Sequence, residues 1–238
     1  MIRFRAATER GQTRTDWLNS RHSFSFGGYH DPDQMGYAAL RVLNEDRVAP
    51  GKGFAEHGHA NMEILTWVID GVLGHRDSTG NQGVIRPGML QRMSAGHGIR
   101  HSEMNASTVQ PVHFLQFWIQ PDRVNIEPSY AQARFDDAAL AANWVCLAAP
   151  AARVPAGAVA LQATADLHAT RLPAGGRREY PLRSSRTWLQ AVHGRFAVGA
   201  QQFSAGDGAA LEQQDLLVVE ALEASELLLI ELGEGLLR

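Results

Sequence analysis

The stretch Gly51-Lys52-Gly53-Phe54-Ala55-Glu56-His57-Gly58-His59-Ala60-Asn61-Met62-Glu63-Ile64-Leu65-Thr66-Trp67-Val68-Ile69-Asp70-Gly71 joins a structural signal to a chemical one. Ile64 to Ile69 is an unbroken run of β-branched, aromatic and apolar side chains, the mark of a strand. Asp70-Gly71 ends it with a hairpin signal, because both residue types tolerate positive φ, and Val72 to His75 is the expected return strand. Upstream, His57 and His59 stand two residues apart. On a strand such positions share a face, so this spacing sets two imidazoles side by side.

The same grammar extends outward. Ser78-Thr79-Gly80-Asn81 and Arg86-Pro87-Gly88 read as turns, and Val112 to Gln120 as a further strand. The second half repeats the pattern, with strands expected at Ala158–Ala163, Asp166–Leu172, Thr187–Val192, Phe196–Phe203, Asp215–Ala221 and Glu226–Leu232. One helix is expected over Tyr130–Ala142, with Ser129 as its N-cap. Thr66-Trp67-Val68-Ile69-Asp70-Gly71 aligns with Leu189-Gln190-Ala191-Val192-His193-Gly194, and each is followed by a strand and a turn, Pro87-Gly88 and Ala205-Gly206. Short strands, regular turns and this repeat point to an all-β chain made of two copies of one sandwich or barrel unit.

Composition narrows the function classes. The chain has 238 residues, 45% hydrophobic and 20% charged, an ordinary globular balance. A net charge of −3 lacks the basic footprint of a protein that binds nucleic acid through charge, so no direct nucleic-acid partner is expected. Cys146 is the single cysteine, which excludes an intrachain disulfide and suits a reducing compartment. Met1 to Asp16 is too polar for a signal peptide and no apolar run is long enough to span a bilayer. The expectation is a cytoplasmic protein without membrane contact, monomeric by default.

Ten histidines raise the question of metal. His101 and Glu103 repeat the same-face spacing of His57 and His59, and two such strands brought together give three imidazoles and a carboxylate. Imidazole suits Fe, Zn, Cu and Ni, and a mixed His/carboxylate set with open positions suits non-haem Fe(II). Glu63, four residues after His59, competes with Glu103: either is the ligand, or Glu63 orients a ligating imidazole from behind. Spacing alone leaves that choice open. His22, His30, His75, His113 and His168 have no comparable partner and read as surface or satisfied core residues, and His97, between Gly96 and Gly98, reads as a turn residue.

At these residues the chain resembles a known pattern. Gly51, His57, His59 and Glu63 follow the first cupin motif, with the closing Gly71 one residue late. Gly98, His101 and Asn105 follow the end of the second, with Gly96 where a proline is usual. The wording of His57–Gly71, His75-Arg76-Asp77-Ser78, Met93–Glu103 and Gln116–Pro121 resembles the bacterial branch of the pirin family, over about residues 15 to 135. The resemblance implies a bicupin: two β-barrel (jelly-roll) domains with few short helices. Residues 1–125 would be the metal-binding cupin, 126–155 a connecting segment and 156–238 a degenerate cupin. It also implies a ligand set of His57, His59, His101 and Glu103, with Glu63 behind them.

The implied activity is quercetin 2,3-dioxygenase-like cleavage of a flavonol with O₂, on one divalent transition metal. Fe(II) comes first, and Zn, Mn, Ni, Co or Cu would also fit. Glu103 is the expected catalytic base. Phe54, Met62, Ile64, Met93, Phe114 and Phe117 are the expected apolar walls. The rival reading is a metal-bound regulatory or redox-sensing protein that binds a protein partner without turnover. Carrying the repeat register back from Gly194 to Gly71 places Tyr180 at the position of His57 and Leu182 at that of His59, so the second copy is expected to hold no metal.

Overall fold

The computed structural model describes residues 1–233; residues 234–238, the end of the expected second domain, lie outside the described residues. The first half contains β1 (Ile2–Arg5), β2 (Gly11–Arg14), β3 (Leu18–His22), β4 (Leu40–Val48), β5 (Gly53–His59) and β6 (Glu63–Asp70). It continues with β7 (Leu73–Asp77), β8 (Gln82–Ile85), β9 (Met89–Ser94), β10 (Ile99–Asn105) and β11 (Val112–Ile119). Next come β12 (Ser129–Arg134), α1 (Asp137–Ala142), β13 (Val145–Pro150), β14 (Val159–Leu161) and β15 (Ala165–Leu172). The chain closes with β16 (Arg177–Pro181), β17 (Arg186–His193), β18 (Arg195–Val198), β19 (Gln201–Ser204), β20 (Gly208–Glu212), β21 (Leu216–Ala221) and β22 (Ser225–Leu232).

These strands form two jelly rolls, each a seven-stranded sheet facing a four-stranded one. The first pairs β12-β9-β6-β11-β4-β3-β2 with β5-β10-β7-β8. The second pairs β1-β20-β17-β22-β15-β13-β14 with β16-β21-β18-β19. The inner orders correspond strand for strand, which is the internal repeat seen as topology. The flanking strands depart from the linear division of the chain. β1 adds to β20 of the second half, whereas β12, inside the expected 126–155 connection, adds to β9 of the first.

The larger sheets are buried on both faces, which is why β6 reads as a continuous apolar run and not as an alternation. Leu65, Trp67, Leu115 and Phe117 of the first half share one core cluster with Leu167, Trp188, Leu228 and Ile230 of the second. Polar contacts cross the same boundary: Trp67 Nε1 donates to Glu226 at 2.7 Å, and Arg92 Nε to the Ala160 carbonyl at 3.1 Å.

Three local expectations change. Asp70-Gly71 does not join a hairpin: Gly71, at φ +81°, carries the chain from the large sheet to the small one, where β7 pairs with β8 and β10. A Cβ there would press on the Pro111 carbonyl, so the position requires glycine. Phe196–Phe203 is a hairpin, β18 and β19, and not one strand. The Tyr130–Ala142 helix is shorter. Ser129 to Arg134 extends along the open edge of β9, with Ala131 and Ala133 against the core between the halves. The helix starts only at Asp137, capped by Asp136, whose carboxylate accepts from Ala139 N at 2.9 Å. Sheet pairing outweighs the helix propensity of those alanines.

Candidate metal centre

β5 and β10 are neighbours, and their register sets His101 opposite His57. His57 and His59 share one face of β5, as the spacing required, and that face looks into the first jelly roll. Donor nitrogens of His57, His59 and His101 all lie within 4.8 Å of one another, and His57 Nε2 is 3.1 Å from His101 Nε2. A bulge between His101 and Glu103 sets three β5 steps against two on β10. Ala55 lies in that bulge, and its carbonyl is 2.8 Å from His57 Nδ1. A carbonyl only accepts, so the neutral His57 carries its proton on Nδ1 and turns the Nε2 lone pair toward the other two rings.

Burial, then the neighbouring imidazoles, depress the basicity of the other two: His59 to about 4 and His101 to about 2. Three convergent imidazoles, with His59 and His101 resisting protonation, suit a divalent cation, which needs neutral ligands.

Glu103 lies on the same face of β10, is buried, and lines the same cavity. Both its oxygens accept from Gln116 Nε2, at 3.1 and 2.9 Å, and Gln116 Oε1 accepts from Trp118 Nε1 at 2.9 Å. The chain Trp118–Gln116–Glu103 therefore fixes the amide and the carboxylate together. Burial raises the proton affinity of Glu103. The convergent donor group itself comprises the three histidines.

Glu63 is engaged by partners other than the histidines. β6 runs in the large sheet, and the buried Glu63 carboxylate accepts from Gln162 N at 3.0 Å, bridging to the second half. Its other partners are Ser94 and Arg92. His75 is likewise not isolated: it is buried, 3.1 Å from Asp77 Oδ2, stacked on Tyr130, with its ring centroid 5.4 Å from that of His101. His97 remains at its turn, 3.3 Å from Glu127 and apart from the trio.

A cavity of about 640 Å³ opens beside the histidines. Its apolar wall is Trp17, Leu18, Phe26, Phe54 and Trp118, and the Trp118 ring meets His59 edge-on at 4.8 Å. Of the expected walls only Phe54 lines it. Ile64 and Met93 form a small buried cluster with Met62 against it, while Phe114 and Phe117 belong to two other clusters. Alternation says which residues share a face, but not which of them the opposing sheet covers.

Sequence reading also missed a polar row across the inner face of the large sheet. Register aligns Gln91, Thr66, Gln116, Asn44 and His22, all buried. Asp46, two residues after Asn44, lines the cavity as well. The available signal was the polar run Asn44-Glu45-Asp46-Arg47 within a long strand. In the second half the same register reads Ala209, Leu189, Leu229 and His168. There Leu217 faces Tyr180 as His101 faces His57, and apolar packing fills the space where the first half gathers imidazoles.

Comparison with known proteins agrees with this geometry. Residues 3–119 match the family model described as Pirin, and residues 147–232 match that of the quercetinase C-terminal cupin domain. A Mycobacterium tuberculosis relative, provisionally named a quercetin 2,3-dioxygenase, is 42% identical over 97% of this chain and 95% of its own. The chain belongs to the pirin family. A quercetin 2,3-dioxygenase of Escherichia coli K12 is 39% identical over 98% of this chain and 99% of its own. The crystal structure of the bacterial pirin YhhW from Escherichia coli in complex with nickel(II) superposes with a TM-score of 0.91 at 37% identity, covering 98% of this chain and 100% of that one. The pirin fold and the three-histidine cluster identify a divalent-metal site. Among the described residues, no helix is long and apolar enough to cross a membrane.

Proposed function

We propose that this pirin is a metal-dependent dioxygenase acting on a flavonol such as quercetin, with His57, His59, His101 and Glu103 as the metal ligands. The observation that carries the reading is that two of the three clustered histidines, His57 and His59, line a cavity whose apolar wall is mostly aromatic. A planar polyphenol fits between Trp118, Phe54 and Trp17, with its oxygen substituents toward the histidines. The names of the relatives support the same substrate class. A bound divalent metal supplies Lewis acidity to those oxygens. The chain's own residues exclude water with the aromatic wall, disfavour protonation of His59 and His101 by burial, and hold Glu103 through Gln116. Fe(II) is the proposed metal.

The test is O₂ uptake by protein loaded anaerobically with Fe(II), with and without quercetin, beside His101→Ala. Quercetin-dependent uptake that disappears in the variant is the expected result. Stoichiometric metal without uptake would overturn the dioxygenase reading and favour a regulatory protein with a macromolecular partner.

A further inference from the structure

We propose that Asp46 takes the proton from the hydroxyl group of a phenolic substrate bound in this cavity, the role that sequence reading gave to Glu103. The proposal rests on the reading of the cavity as a flavonol site. Asp46 is 3% exposed and lies on β4, between Ser20 of β3 and Phe114 of β11. It lines the same cavity as His57, His59 and Glu103. The Ser20 hydroxyl is its hydrogen-bonding neighbour, while Oδ1 has no partner among the described residues.

A buried carboxylate oxygen without a donor costs stability, and a donor arriving with the ligand removes that cost. A substrate hydroxyl is such a donor. Glu103 differs, because both its oxygens already accept from Gln116 and its remaining lone pairs are the ones proposed to hold the metal.

The electrostatic surroundings suit a base at neutral pH. The ionisable groups around Asp46 are Glu103 from β10, Glu45 on its own strand, His22 from β3, and Glu56, His57 and His59 from β5. The cations Arg10 and Arg47 pair with Glu45 instead. Burial first, then the charges of Glu103 and Glu45, push the Asp46 carboxyl up to about 7. A base with that affinity is effective near neutrality. The step is a proton transfer alone: the substrate O–H bond breaks, an O–H bond forms at Asp46 Oδ1, and the electron pair stays on the substrate oxygen. No oxidant or reductant is needed.

The experiment is anaerobic titration of the metal-loaded full chain with quercetin, followed by absorbance, since an ionised flavonol absorbs at longer wavelength than the neutral one. Wild type should show the red-shifted band on binding at pH 7. Asp46→Asn should retain nickel(II) and bind quercetin within about threefold of wild type, yet leave it neutral at that pH, with turnover lower by roughly 10²–10⁴. Asp46→Glu should restore part of the band. Ser20→Ala offers a second test if Asp46→Asn does not fold: loss of that hydrogen bond should move the acid limb of kcat/KM to higher pH. An Asp46→Asn variant that ionises quercetin like wild type, or an unmoved acid limb in Ser20→Ala, overturns the assignment while the dioxygenase reading stands. A wild type that neither binds quercetin nor consumes O₂ with it overturns both.

Discussion

His57 is oriented by a backbone carbonyl, and Glu103 by a side-chain amide that is itself held by Trp118. This difference sets two expectations at the residue scale. Replacing His101 by Ala removes one of three convergent donors, so nickel(II) content after dialysis should fall from about one equivalent to a small fraction. Gln116→Leu keeps the size but removes both hydrogen bonds to Glu103. Partners of this outer kind are worth roughly 10–100-fold in metal affinity, and calorimetric titration with nickel(II) should show a loss in that range.

β4 makes two different uses of adjacent carboxylates. Asp46 faces the cavity, while Glu45 faces the opposite side of the sheet, where it meets Arg10 Nη2 at 2.7 Å and His113 Nε2 at 2.8 Å. Burial opposes the charge on Glu45, but His113 and Arg10 outweigh it and bring the carboxyl down to about 2 from 4.5. A carboxyl lowered on folding stabilises the native state above its unfolded value. That contribution is therefore present above about pH 4.5 and is lost as pH falls toward 2. Glu45→Gln should destabilise the protein at pH 7 by about 3–5 kcal/mol, the cost of leaving Arg10 buried without its partner. Urea melts at pH 7 and pH 3 should show the difference between variant and wild type shrinking in acid. β5 shows the same dependence on close fit, since a Cβ at Gly53 would collide with the Glu103 carbonyl across the bulge. Gly53→Val should therefore loosen the β5–β10 pairing and cost metal binding, measurable as reduced nickel(II) content in the folded variant.

At the scale of the whole molecule, the two jelly rolls exchange edge strands and share a core. Residues 1–125 alone would lack β12 and expose the face around Trp67, Leu115 and Phe117 to water. That fragment should not fold to a stable, soluble domain, as far-UV circular dichroism and gel filtration would show. The intact chain should unfold in a single transition, and Trp67→Ala should lower its stability by about 3–5 kcal/mol through the cavity left between the halves. Two independent calorimetric transitions would contradict this coupling.

Local pattern determined much of this protein by itself. Most strands, the twofold repeat and the same-face pairs His57/His59 and His101/Glu103 follow from period-two alternation and turn chemistry, which act over a few residues. The tertiary structure decided what depends on which strands become neighbours. It drew Glu63 to Gln162, set Gln116 against Glu103, brought Asp46 to the cavity and gave Ser129–Arg134 to a sheet edge in place of a helix. Alternation assigns a residue to a face of its own strand; only the register between strands distant in sequence assigns it a partner.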